Sequence, residues 1–181
     1  MEERMIDGLV DEQKRLAEAS EEARQAMLRA AEQRQEAIFA LHAGGLSIRR
    51  VAERLGISNK VVQDAIAMAR RRRPQLDRRE DRVAWELHRA VADQLRADPA
   101  HVVKTARRNL ERMRDRPRSQ IAQSWLDEWD QLLNASEPEI RARMLATDER
   151  ATDLRQMSPF AGALSQDQRT IAILKAGSAA R

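Results

Sequence analysis

Two serines and one glycine divide residues 47–73 into two short helical segments. Ser47 can accept hydrogen bonds from the free N–H groups of a helix that runs to about Leu55, and Ser58 can do the same for the helix that follows it. Gly56, which lies between them, can adopt the left-handed backbone conformation that ends a helix sharply. The sequence therefore predicts two short helices joined by a tight turn.

The apolar side chains of this stretch recur at helical spacing, so that each helix has one inward face. Ala52 stands where the two helices would cross, and a larger side chain there would hold them apart. Ile57 would fill the turn. The predicted core of this unit consists of Val51, Ala52, Leu55, Gly56, Ile57, Val62, Ala65 and Ile66.

The second helix, predicted over residues 59–73, leaves a polar face near its N-terminus. The residues on that face are Asn59, Lys60, Gln63 and Asp64. Asn and Gln can pair bidentately with adenine, and Lys can reach the acceptor atoms of guanine. A helix-turn-helix places this end of its second helix in the major groove of DNA. We therefore predict that these four side chains read bases.

Positive charge is concentrated on the same segment. Residues 43–73 carry eight basic and two acidic side chains, whereas residues 1–42 carry six basic and ten acidic ones. A positive field at this position suits DNA phosphates, and the helix N-termini that the serines cap can bind phosphate as well. The predicted phosphate contacts are Ser47, Arg49, Arg50, Arg54, Ser58, Arg70, Arg71, Arg72 and Arg73.

The order Val-Ala-x-x-Leu-Gly-Ile-Ser over residues 51–58 resembles the helix-turn-helix of bacterial transcriptional regulators and resolvases. The resemblance covers about residues 34–73. It implies a small helical domain that binds double-stranded DNA. The residues themselves leave one alternative open, a helical packing unit of the same shape that binds protein instead of DNA.

One long helix is predicted before this domain, because residues 2–42 contain no proline and only Gly8 interrupts the helical pattern. Its last part, residues 34–43, is expected to be the first helix of the DNA-binding domain. Two interpretations of residues 1–33 stay open. They form an arm that pairs with a second copy of the chain as a coiled coil, or a solvated arm that folds back onto the C-terminal part. The apolar stripe comprises Ile6, Leu9, Leu16, Ala23, Met27, Ala30, Ala37 and Leu41.

Pro74 and Gln75 mark a domain boundary, with a predicted linker over residues 74–76 and a tail over residues 177–181. Residues 77–176 are predicted to form a second all-α domain, since helix start and stop signals recur along them. Trp125 and Trp129, four residues apart, are predicted to face its core, and a partner-binding patch is the alternative. The signals are Asp77 with Glu80, Asp98 with Pro99, the break at Pro117, Ser136 with Glu139, and Ser165 with Gln168.

Residues 96–170 carry a second resemblance. The order Asp-Pro at 98–99, Asn-Leu-Glu-Arg-Met at 109–113, Trp-Leu-x-x-Trp at 125–129 and Leu-Arg-Gln-Met-Ser-Pro-Phe-Ala-Gly at 154–162 is similar to the C-terminal region of small actinobacterial regulators that look like antitoxins. This resemblance implies a regulator whose second half binds a partner protein, a toxin. The usual regulator of that group has a different DNA-binding head.

Composition excludes several classes of protein. The absence of cysteine excludes disulfides and cysteine-based zinc sites and fits a reducing cytoplasm. No run of about 18 apolar residues and no signal peptide is visible. The histidines, at 42, 88 and 101, have no metal-ligand spacing, and no phosphate loop or catalytic motif occurs. We therefore expect a cytoplasmic, nucleoid-associated protein of bacterial or phage origin that is not an enzyme and needs no cofactor or metal.

The sequence as a whole predicts an all-α protein, in which a long N-terminal helix leads into a helix-turn-helix domain and a second small multi-helix domain follows. The predicted function is a sequence-specific DNA-binding regulator, a repressor, that reads the major groove with residues 59–73, and a homodimer is one of the two interpretations of its N-terminal arm. Three alternatives stay open: an antitoxin whose C-terminal half neutralises a toxin, a phage-type immunity repressor whose C-terminal domain also binds DNA, and a resolvase-like recombination fragment.

Overall fold

The computed structural model describes residues 2–115 and 119–179, and every regular element in these two ranges is an α-helix. The all-α prediction is confirmed. The predicted break at Pro117 falls outside the described residues. The helices are α1 (Glu2–Ala43), α2 (Ile48–Leu55), α3 (Asn59–Arg71), α4 (Arg79–Ala97), α5 (Pro99–Arg114), α6 (Gln120–Leu132), α7 (Glu137–Leu145), α8 (Glu149–Gln156) and α9 (Gln166–Ser178).

Most helix starts are fixed by the side chains that the sequence indicated. Ser136 with Glu139, and Ser165 with Gln168, each form a reciprocal capping box, and the Asp98 carboxylate accepts a hydrogen bond from the N–H of His101, the third residue of α5. The predicted capping box of Asp77 with Glu80 was wrong. α4 has Arg78 as its N-cap, and an arginine side chain has no acceptor that could cap the helix; the Glu80 carboxylate pairs with the Arg78 guanidinium.

The chain divides into two compact units. The N-terminal unit comprises residues 1–42 and 46–72, and the C-terminal unit comprises residues 43–45 and 73–181. The main boundary therefore lies just before the predicted linker. α9 continues to Ser178, so the predicted tail begins inside a helix.

In the N-terminal unit, the end of α1 packs with α2 and α3 around one small core. Its fully or nearly fully buried residues are Ile38, Phe39, Val51, Ala52, Val62, Ala65, Ile66 and Ala69. Residues 3–34 of α1 are exposed throughout. Local pairs along that exposed segment support the helix, for example Glu21, whose carboxylate accepts hydrogen bonds from Arg24 and Gln25.

In the C-terminal unit, α4 packs against α5, α7, α8 and α9. The core contains Trp129, which is 1% exposed and donates its indole N–H to the carbonyl oxygen of Leu154 at 3.0 Å. The core prediction is confirmed for Trp129. Trp125 is only partly buried against the same core, and the Arg150 guanidinium lies 6.0 Å from its ring centre.

A buried asparagine holds the loop that precedes α9. The Asn109 amide nitrogen donates to the carbonyl oxygens of Pro159 and Ala161, both at 2.7 Å. Phe160, between them, is buried against Trp129 with ring centres 5.1 Å apart in an edge-to-face arrangement. The loop is therefore fixed on both sides of one aromatic side chain.

Candidate nucleic-acid interface

The turn between α2 and α3 has the geometry that its serines and glycine predict. The Ser47 hydroxyl accepts a hydrogen bond from the Arg50 N–H, and the Ser58 hydroxyl accepts one from the Val61 N–H, each at 3.3 Å. Gly56 has φ 63° and ψ 32°, the left-handed conformation that a side chain would strain. Each helix is therefore started and stopped by local chemistry, which holds α3 at a defined angle to α2.

The packing beneath the turn differs from the prediction at two positions. Leu55 and Gly56 were both predicted to belong to the core, but Leu55 is 45% exposed and Gly56 is exposed as well. Ile57 is partly buried and closes the core at the turn instead. Phe39 of α1, which was not predicted, is completely buried and occupies the centre of the core. The adjacent apolar pair Ile38-Phe39 was the available signal. The predicted residues that are buried are Val51, Ala52, Val62, Ala65 and Ile66.

All four residues that were predicted to read bases are exposed at the start of α3. Two of them pair with each other, since the Lys60 ammonium contacts the Asp64 carboxylate one turn later. This pair neutralises the Lys60 charge locally in the DNA-free chain. Asn59 and Gln63 flank it on the same part of the helix.

The basic residues around α2 and α3 fall into two groups. Arg49, Arg50, Arg54 and Arg71 are exposed, and of these Arg50 makes a surface ion pair with Glu53 at 3.2 Å. Exposed pairs of this kind are worth little and exchange readily for a phosphate oxygen. Arg70 is partly buried near the end of α3. These cations lie on α2 and in the last turn of α3, so that both helices of the turn carry positive charge.

Two members of the predicted phosphate set have structural roles instead. Arg72 donates to the Gln35 side chain at 2.6 Å and to Glu36 at 3.2 Å, which ties the end of α3 to α1. The Arg73 side chain is 4% exposed, lies beyond the end of α3 and pairs with Glu86 at 2.5 Å. We therefore do not expect Arg72 or Arg73 to contact DNA phosphates, because the guanidinium group of each is already paired with a buried or partly buried carboxylate.

None of the known protein families, curated proteins or solved structures matches this chain. In the described ranges, none of the helices is both long enough and apolar enough to cross a membrane.

The sequence pattern did not predict a groove between α1 and α3. Val61 and Met68 are 42% and 41% exposed and line this groove, which has a volume of about 240 Å³, together with Arg34 and Gln35. Val61 and Met68 are seven residues apart and so lie on one face of α3. That spacing was the signal that could have revealed an apolar strip beside the polar face.

Proposed function

We propose that this chain is a sequence-specific double-stranded-DNA-binding regulator that acts as a repressor, with α3 in the major groove. The observation that carries the proposal is the exposed polar start of α3 on a helix held by two serine caps and a left-handed glycine. Uncommitted amide side chains at that end of a recognition helix suit adenine edges. A repressor acts by occupying its site, which requires no catalytic group.

The roles within the interface follow from the side-chain partners. Arg49, Arg54 and Arg71 would contact phosphates and set the register of the protein on the duplex. Asn59 and Gln63 would read bases. On DNA, the Lys60–Asp64 pair would open, so that the ammonium reaches guanine acceptors and the carboxylate accepts from a cytosine amino group.

A second copy of the chain is the partner that suits α1. Residues 3–34 expose an apolar stripe along a helix that has no core of its own, and Ile6, Leu9 and Leu16 are 52%, 60% and 64% exposed. Pairing two such stripes would bury them. A homodimer would present two α3 helices to half-sites about 34–36 Å apart on one face of the duplex.

The deciding experiment measures binding of the full-length protein to DNA upstream of its own gene, with random-sequence competitor at two salt concentrations. We expect a specific complex whose footprint contains two half-sites about one helical turn apart. A footprint that extends well beyond two half-sites would favour the immunity-repressor alternative, in which the C-terminal unit also touches DNA. Binding no stronger than to competitor at either salt concentration would refute the proposal.

Gln63→Ala is expected to weaken binding to the specific site by about 1–3 kcal/mol and to leave binding to random DNA unchanged, because it removes a base contact and no phosphate contact. Competition titrations on both DNAs measure the two values. Gln33→Ala, which changes an exposed glutamine of α1, is the matched control. An equal loss on both DNAs would show that Gln63 does not read a base.

Arg71→Ala is expected to weaken binding to all sequences alike and to lower the slope of log K against log salt by about 1, because one phosphate contact is lost. Titrations across a salt series give the slope. Arg29→Ala removes an exposed arginine from the α1 arm and serves as the control for net charge. An unchanged slope for Arg71→Ala would place this side chain away from the phosphates.

One observation favours the antitoxin alternative as a second candidate. α9 exposes three large apolar side chains, Ile171, Ile173 and Leu174, at 42%, 39% and 41%. Exposed apolar residues on one short helix suit a protein partner. The test is genetic: a neighbouring gene that is toxic alone and tolerated with this one would support the candidate, and tolerance that survives Ile171→Glu would argue against α9 as its binding surface.

A further inference from the structure

Val61 is an apolar side chain at the surface of the first turn of α3. It is 42% exposed, whereas its neighbour Val62 is completely buried in the core. The backbone N–H of Val61 donates to the Ser58 hydroxyl at 3.3 Å, which fixes the position of this residue at the start of the helix. A large part of an apolar side chain therefore stays in water at the end of α3 that the proposed function places in the major groove.

The side chains that are proposed to read bases surround Val61. Lys60 precedes it directly, and Asp64, three residues later, is its neighbour on the helix surface. Gln63 lies on the other flank of the Lys60–Asp64 pair, because residues two apart in an α-helix point in nearly opposite directions. The start of α3 therefore has a charged centre, an amide on one side and an apolar side chain on the other.

The major groove of unmodified DNA presents one apolar group, the C5-methyl group of thymine. The other groups that the base edges present there are hydrogen-bond donors and acceptors. Contact between the methyl group and an apolar side chain removes both surfaces from water. Valine suits this contact because it is β-branched, so that its two methyl groups keep one preferred orientation in a helix and lose little freedom when they meet the base.

We propose that Val61 selects a thymine in each half-site by packing against its C5-methyl group. The inference rests on the proposed function, since it requires α3 in the major groove. The polar side chains around Val61 would read donors and acceptors, and Val61 would recognise the one group that hydrogen bonds cannot. The exposed valine thus adds a base preference that the polar face of α3 does not supply.

Replacement of thymine by deoxyuridine tests this, because it removes only the methyl group and keeps the O4 acceptor and the pairing with adenine. Each thymine of the site upstream of the protein's own gene is replaced in turn, and binding of the full-length protein is measured by competition titration. We expect one thymine in each half-site at which the replacement weakens binding by about fourfold, the effect of one buried methyl group. Replacement of the other thymines should have little effect.

Val61→Ala shows whether the sensitive thymine is read by this residue. The variant shortens the side chain at an exposed position and should leave the fold intact, since alanine has the higher helix propensity. It should bind the thymine site more weakly and lose the preference for thymine over uracil. Met68→Ala is the matched control, because Met68 lies seven residues later on the same face of α3 and is 41% exposed. It should keep the preference.

Three outcomes would overturn the inference while the proposed function stands. The first is a specific site in which no thymine is sensitive to replacement. The second is a preference for thymine that survives in Val61→Ala, which would assign the methyl contact to another residue. The third is an equal loss of affinity in Val61→Ala and Met68→Ala with the preference unchanged, which would show that both side chains pack on protein. If the unaltered protein does not bind its upstream site above competitor, the proposed function itself fails, and this inference fails with it.

Discussion

Arg73→Met is expected to lower the free energy of unfolding of the C-terminal unit by about 3–5 kcal/mol, because it leaves the Glu86 carboxylate buried without its main partner. The two side chains are each 4% exposed, and their closest atoms are 2.5 Å apart. Burial already raises the pKa of Glu86, and Arg73 is the largest influence that opposes this rise. Methionine keeps most of the side-chain volume and removes only the charge and its hydrogen bonds.

The matched control is Arg78→Met, which breaks an exposed arginine–carboxylate pair five residues further along the chain. Exposed pairs contribute little to stability, so this variant should unfold almost as the unaltered protein does. Chemical denaturation followed by tryptophan fluorescence suits both variants, since Trp85, Trp125 and Trp129 all belong to the C-terminal unit. If the two variants were destabilised equally, the buried Arg73–Glu86 pair would contribute no more to stability than an exposed pair does.

Acid is expected to destabilise the C-terminal unit through His88. The unfolded chain has an ordinary histidine pKa of about 6.5, whereas burial holds the folded pKa at about 4. At a pH between these two pKa values, His88 is protonated in the unfolded chain and neutral in the folded one. The stability contributed by the neutral ring is therefore complete above about pH 6.5 and falls by about 2–3 kcal/mol as the pH drops to about 4.5.

Denaturation curves at pH 7 and pH 4.5 measure this loss. The free energy of unfolding of His88→Phe should fall by about 2–3 kcal/mol less between these two pH values than that of the unaltered protein, because phenylalanine binds no proton in either state. His101→Gln, which changes an exposed histidine, should keep the acid sensitivity of the unaltered protein. If His88→Phe lost as much stability in acid as the unaltered protein does, the loss would come from the protonation of carboxylates and not of His88.

Local signals predicted most of the fold, because helix ends depend on residues close in sequence. Ser47, Ser58, Ser136 and Ser165 cap helices where the sequence indicated, and Gly56 has the expected left-handed conformation. Asp77 failed as a cap because α4 begins at Arg79, so that Arg78 stands at the N-cap position, and the Glu80 carboxylate pairs with Arg78. The sequence alone does not show at which of two adjacent residues such a helix begins.

Tertiary partners were less accessible to prediction. The four arginines at 70–73 are identical in sequence, yet Arg71 is exposed, Arg72 pairs with Glu36 of α1, and Arg73 pairs with Glu86 of α4. Their carboxylate partners lie 36 and 13 residues away in sequence. The order of residues within the arginine run does not show which carboxylate each arginine will pair with. The buried His88 and Arg155 escaped prediction for the same reason, since burial depends on elements that are distant in the chain.

The consecutive residues Arg72 and Arg73 have ion-pair partners in different units. The point at which the chain is divided into fragments therefore determines which ion pairs survive. A fragment of the N-terminal unit that ends after residue 76 would keep Arg73 and lose Glu86, so it would gain one solvated cation beside α3. Such a fragment would bind any polyanion more tightly than the intact chain does, for a reason unrelated to recognition. A complementary fragment that starts at residue 77 would retain Glu86 without its arginine. Cleavage between residues 72 and 73 leaves both ion pairs whole.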